Sequence, residues 1–248
     1  MNNPSLIPPP AARNYLVTTP ADRDTVRIRA DKLSFGGFHF KDVDLTVNIE
    51  KPGLLGLDDG LSAISTWYYI HLLTDAKGTR LSAVLSTNAT APSSQAGYPI
   101  TWRGGCIYND AGGDFFRIYH NGDVWQFNEI SLPPLRFVNG IPGVGPAWVL
   151  TPLSLQPPAL YGGIVHLHGS YFCTCVGDDW WDVRPNGSNT TGSKQITRFR
   201  SIAVGVWDSG HVQLPTDALG QLQHISTHVA GGSTLYLDLT SYEDPLFK

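Results

Sequence analysis

The sequence predicts an all-β protein: β-sandwich or jelly-roll-like modules behind a Pro-rich, extended N-terminal arm. Three observations carry that prediction. The chain holds 26 glycines and 18 prolines among 248 residues, and such an excess demands many turns and few long helices. Charged residues are only 15% of the chain, against about 25% in an average soluble domain. Aromatics reach 11%, and apolar residues recur at every second position in several runs, as half-buried strands require.

Residues 1–24 are Pro-rich and polar, with Pro8, Pro9 and Pro10 consecutive. Such a segment favours polyproline II over packed structure. It reads either as a disordered tail or as an arm that orders against a partner, with Leu6, Ile7 and the three prolines as anchors. A first β module then spans 25–130. Within it Thr25–Ala30 (TVRIRA) and Val43–Ile49 (VDLTVNI) alternate, and Gly53–Gly60 (GLLGLDDG) reads as a loop. Ser65–Leu73, the turn Asp75–Gly78 and Thr79–Ser86 read as a hairpin. Asn88–Pro99 is a loop, and Ile100–Tyr108 (ITWRGGCIY) is a strand whose Gly pair marks a bulge. Phe115–Tyr119 and Asp123–Phe127 flank Asn121-Gly122, the preferred type I′ turn pair.

Residues 131–162 form a Pro/Gly-rich connector. Its prolines exclude central strands over much of its length. A second β module, 163–248, is either separate from the first or one continuous sandwich with it. It holds strand candidates at Gly163–Cys175, Trp180–Arg184, Gln195–Trp207, Gly220–His228 and Ser233–Leu239. Pro215–Leu222 is the single stretch compatible with a short helical turn.

Composition also excludes function classes. A net charge of −4 and a pI of about 6.0 argue against a nucleic-acid footprint. No run of 18 apolar residues suggests a membrane-spanning helix, and the first residues do not read as a secretory signal. Three cysteines make no disulfide framework, which points to a reducing compartment.

Particular runs resemble a known group. GLDDGLSAISTWYYIHLL, LSAVLSTNATAP, GYPITWRGGCIYND and DFFRIYHNGDVWQF, followed later by SIAVGVWDSGHVQLPTDALGQLQHISTH and GGSTLYLDLTSYED, resemble segments of tailed-bacteriophage virion structural proteins. That group covers tail-fibre, receptor-binding and head-decoration proteins. The likeness spans roughly residues 43–127 and 200–243. It implies β-sandwich or jelly-roll modules, homotrimeric assembly, other virion proteins as partners and location on the virion. It brings no catalytic signature.

The most suggestive chemistry lies in IVHLHGSYFCTC, Ile164–Cys175. If Gly169-Ser170 is a two-residue hairpin turn, then His166, His168, Cys173 and Cys175 share one face. Two His and two Cys make a reasonable zinc set, although their H-x-H and C-x-C spacing departs from the usual C-x₂₋₄-C. If the strand runs straight through Gly169, the pairs lie on opposite faces and no site forms. The plainer reading is half-buried histidines and small buried thiols, and no other cofactor is expected.

The adjacent pairs Asp58-Asp59 and Asp178-Asp179 point opposite ways on a strand. They cannot be a glycosidase pair, which needs two facing carboxyls roughly 5–9.5 Å apart, and they suit turns instead. No G-x-S-x-G, P-loop, dinucleotide fingerprint or HExxH occurs. The reading is therefore non-enzymatic: a virion structural component acting by oligomeric assembly. The alternative is a carbohydrate- or receptor-binding module, with a host glycan as partner and Tyr98, Trp102, Trp180 and Trp181 as its aromatic platform.

Overall fold

The computed structural model describes residues 11–58, 60–93, 95–121, 124–127, 136–144, 147–151, 164–173, 179–186, 197–201, 207–215, 221–226 and 229–243. The protein is all-β, with no helix among the described residues. It divides into two compact units, Met1–Asn128 with Phe247–Lys248, and Glu129–Leu246.

The first unit contains β1 (Ala11–Arg13), β2 (Leu16–Thr18), β3 (Thr25–Phe35), β4 (Phe38–Asn48), β5 (Thr66–Thr74), β6 (Leu81–Ser86), β7 (Ile100–Asn109), β8 (Ile118–Asn121) and β9 (Val124–Phe127). Strands β3 and β4 form a hairpin whose closing pair is Phe35 and Phe38. Gly36 and Gly37 turn it with φ of 60° and 85°, the two positive values that a type I′ turn needs. The hairpin extends well beyond the alternating runs visible in the sequence. On the far edge of β3 lie β1 and β2, and β2 pairs onward with β8, which pairs with β9. A second antiparallel sheet has the order β6-β5-β7.

Two features of this unit answer the sequence reading. Residues 11–24, expected within the extended arm, carry β1 and β2, and Tyr15 and Val17 are core residues. Leu6, Ile7, Pro8, Pro9 and Pro10 lie outside the described residues. The expected bulge is present: the ladder of β5 with β7 slips between Ile70 and His71, opposite Gly104-Gly105. The reason is close packing. A Cβ on Gly105 would sit 1.9 Å from the Trp125 ring, and one on Gly104 would sit 2.5 Å from the Tyr15 hydroxyl. That hydroxyl donates to the Gly104 carbonyl at 2.9 Å. The two glycines thus let Trp125 and Tyr15 join the two sheets. The strap 54–58 shields the outer edge of β6, with Leu55 donating to Ala83 and Leu85 donating to Gly56.

The second unit contains β10 (Arg136–Val144), β11 (Val149–Leu150), β12 (Ile164–Cys173), β13 (Asp179–Pro185), β14 (Thr197–Ser201), β15 (Trp207–Pro215), β16 (Leu222–Ser226) and β17 (Val229–Glu243). Neighbours in one sheet run β10-β17-β12-β15, and in the other β11-β16-β13-β14; these pairings are all antiparallel. The stretch expected to be a connector therefore carries β10 and β11. Pro142 is accommodated in β10 beside a register shift, between Pro142 and Val144, in its ladder with β17, an irregular position at which a missing N–H is tolerated. The expected run Gln195–Trp207 holds β14, while β15 begins at Trp207. Most of the proposed helical turn, 216–220, lies outside the described residues. The core is Val165, Leu167 and Tyr171 from β12 and Leu235, Leu237 and Leu239 from β17, against Trp181, Val183 and Phe199.

Candidate functional site

Strand β12 runs unbroken through Gly169-Ser170. It pairs with β15 from Ile164↔Pro215 to Phe172↔Trp207, and with β17 along its other edge. The hairpin that the zinc set requires is not formed. Its physical cause lies at Gly169, where a Cβ would meet the Phe199 ring at 2.2 Å. Gly169 is a slot for an aromatic ring from the facing sheet and not a turn residue. His166 and His168 therefore lie on one unbroken strand with Cys173. Cys175 lies outside the described residues, as does the Cys173 side chain. No group of three or more metal-ligating side chains occurs among the described residues.

The straight strand builds a different constellation. Along β12, odd positions from Val165 to Tyr171 are buried and even positions are half-buried. The even positions face outward beside exposed residues of β15: Trp207, Ser209, His211 and Gln213. Ladder pairing sets them in cross-strand rows. Gln213 lies opposite His166, His211 opposite His168, Ser209 opposite Ser170, and Trp207 opposite Phe172. On the other side of β12, Asp238 lies opposite His168 and Tyr236 opposite Ser170.

At one end of this face is an aromatic group. Trp207 lies 5.0 Å from Phe172 and 5.6 Å from Tyr236, ring centre to ring centre. Trp207 keeps 56% of its surface exposed. Tyr236 packs beside Gly140, where a Cβ would come within 2.9 Å of the ring.

At the other end is an open cleft of about 330 Å³ bordered by His166, His211, Gln213, Thr240 and Ser241. Glu243 faces His166 across 3.2 Å, and the Gln213 amide donates to the same carboxylate at 3.2 Å. Thr240 is the extra residue of a bulge in β17, and its hydroxyl donates to the His166 carbonyl at 3.0 Å. Between the two ends the His168 and His211 rings lie 4.8 Å apart. The face is thus polar at one end and aromatic at the other.

The platform expected from sequence does not form from the four aromatic residues named for it. Trp181 is fully buried; its Nε1 donates to Ser233 at 3.2 Å and its ring stacks on His224. Burial holds the His224 imidazole down at about 4. Trp180 is covered by the Arg198 guanidinium at 4.3 Å, and Tyr98 by that of Arg80 at 4.9 Å. Trp102 packs against Tyr15 and Phe35.

Of the two carboxylate pairs, the described side chain is that of Asp58. Asp58 accepts from the Ser86 hydroxyl, the Ser93 backbone and the Gln95 amide, which pins the 88–97 loop. Asp59, Asp178 and the Asp179 side chain lie outside the described residues. The residues missed by sequence reading are Trp207, Ser209, His211 and Gln213. The alternation of Val212 and Leu214 with His211 and Gln213 was the available signal. Neither the protein-family models nor the curated proteins yield a match to this chain.

Proposed function

We propose that this chain is a non-enzymatic structural component of a tailed-phage virion, a tail-fibre, tail-associated or capsid decoration protein. It works through oligomeric assembly and docking of its N-terminal arm. One observation supports this reading above the others: the earlier runs that resemble such proteins, within residues 56–127, fall on one architectural unit and supply each other's contacts, while the two later runs carry β15, β16 and β17 of the second unit. GLDDGLSAISTWYYIHLL gives part of the strap and β5, GYPITWRGGCIYND gives β7, and DFFRIYHNGDVWQF gives β8 and β9. Gly105 of the second run admits Trp125 of the third. Leu61 and Ile64, 94% and 60% exposed, offer apolar surface of the kind that assembly covers.

The arm fits the same scheme. The segment holding Leu6 to Pro10 directly precedes β1, so its docking would be transmitted to the body through paired strands. The test is to purify particles from infected cells and probe them with an antibody against this chain. The reading expects the chain in the particles at a copy number that matches a symmetric assembly. Its absence from particles, with the chain abundant in the lysate, would overturn the reading.

A further inference from the structure

We infer that the outward face of β12, β15 and β17 is a binding site for a neutral saccharide. No Lys or Arg occurs anywhere in these three strands, while Asp238 and Glu243 stand on or beside the face. The adjoining β10 places Arg136 opposite Asp238 in the ladder, a cation already matched by a carboxylate at its register position, so phosphate, sulfate and uronate ligands would meet Glu243 with no cation of β12, β15 or β17 to receive them. A ligand without charge meets no such penalty.

The side chains then favour a sugar over an apolar partner. Trp207, flanked by Phe172 and Tyr236, presents an exposed aromatic surface against which the C–H face of a pyranose can lie. Beyond it, in register along the same face, come Ser209, His211 and Gln213 of β15 with Ser170, His168 and His166 of β12. These groups both donate and accept hydrogen bonds, as a ring of hydroxyls requires. The ladder spaces successive outward residues of one strand by roughly 7 Å, so an oligosaccharide lying along β15 would meet the aromatic group first and the cleft last. The cleft falls near the lower end of the roughly 300–1,000 Å³ typical of ligand sites. A second protein copy placed here would bury His166, His211, Gln213 and Glu243 under an apolar surface and leave their polar atoms unsatisfied.

This inference stands on a different observation from the virion reading, and one set of variants separates them. The full-length chain is applied to a panel of neutral gluco-, galacto-, manno- and N-acetylglucosamine oligosaccharides and of uronate- and sulfate-bearing ones. Binding is read by tryptophan fluorescence and saturation-transfer NMR. The expected result is binding to at least one neutral member, weakened roughly tenfold by Trp207→Ala and more modestly by Gln213→Ala at the far end. Both positions are exposed, so both variants should fold.

The site is overturned if no neutral member binds, if the anionic members bind more tightly, or if both variants bind as the parent does. Incorporation of the Trp207→Ala chain into particles is measured alongside. If the substitution abolishes incorporation, the face is an assembly surface and the saccharide site falls. If the parent chain binds a neutral saccharide but is absent from particles, the site stands and the virion reading falls.

Discussion

The outward faces of two antiparallel sheets differ in kind. In the first unit, the exposed positions of β3 and β4 carry Arg27, Arg29, Lys32, Lys41 and Asp44. Arg27 and Asp44 form a two-point pair at 2.9 and 2.6 Å across the ladder. In the second unit, exposed positions of β15 carry Trp207, Ser209, His211 and Gln213. Both sheets are backed by the same kind of aliphatic and aromatic core. Alternation therefore tells which residues point outward, while residue type tells whether water or a partner is meant to meet them. A charged, paired face is at home in water and protects a sheet from unwanted association. A face of strands without Lys or Arg and with an exposed Trp is a place for recognition.

Substitutions on and beneath the two faces test this difference. The largest effect is expected beneath the second face. Trp181→Ala removes a fully buried indole and its bond to Ser233, at a cost of about 3–5 kcal/mol in chemical denaturation. Its neighbour Trp180 is half-buried under Arg198, and Trp180→Ala should cost less than about 1 kcal/mol. Equal losses at the two positions would contradict the assignment of one to the core and one to the surface.

Next comes Gly169→Leu, which places a side chain where the Phe199 ring lies. Overpacking of this kind costs about 1–3 kcal/mol. An unchanged denaturation midpoint would mean that β12 does not pack straight against β14.

Acid should act at a similar scale. An unfolded histidine titrates at 6.5 and burial lowers His224 to about 4. As pH falls, the unfolded chain takes up this proton first. The contribution of neutral His224 is fully present above about pH 6.5, declines below it, and is lost by about pH 4, a total near 3 kcal/mol. His71, also lowered mainly by burial, acts in the same direction. A His224→Gln chain should show a shallower loss between pH 6.5 and 4 in the same denaturation series. An identical slope would show that other groups carry the acid sensitivity.

The smallest effects belong to the two faces themselves. Trp207→Ala should shift stability by no more than about 0.5 kcal/mol. Asp44→Ala, which removes a solvent-exposed ion pair, should leave the denaturation midpoint nearly unchanged. A large loss at Trp207 would mean that it supports the fold and is not poised for recognition.

How much of this was legible in the sequence depended on chain length and on glycine. The β5–β6 hairpin showed in its turn and in two long apolar runs, and the bulge at Gly104-Gly105 showed as a Gly pair inside a strand. Strands β1 and β2 are three residues each, too short for a period to register, and they hid inside a Pro-rich segment. Gly169 misled because the same absent Cβ serves both a turn and a close approach, and the Phe199 ring that decides between them is thirty residues away. Trp180 and Trp181 are adjacent on one strand, so alternation required one in and one out without saying which. The face around Trp207 depends on β15 and β17 flanking β12, a pairing that no local pattern encodes.

Assembly is the claim on which the functional account turns, and light scattering of the purified full-length chain after size exclusion tests it most directly. The account predicts a mass near three times 27.0 kDa. A mass of one chain, unchanged up to high protein concentration, would contradict it.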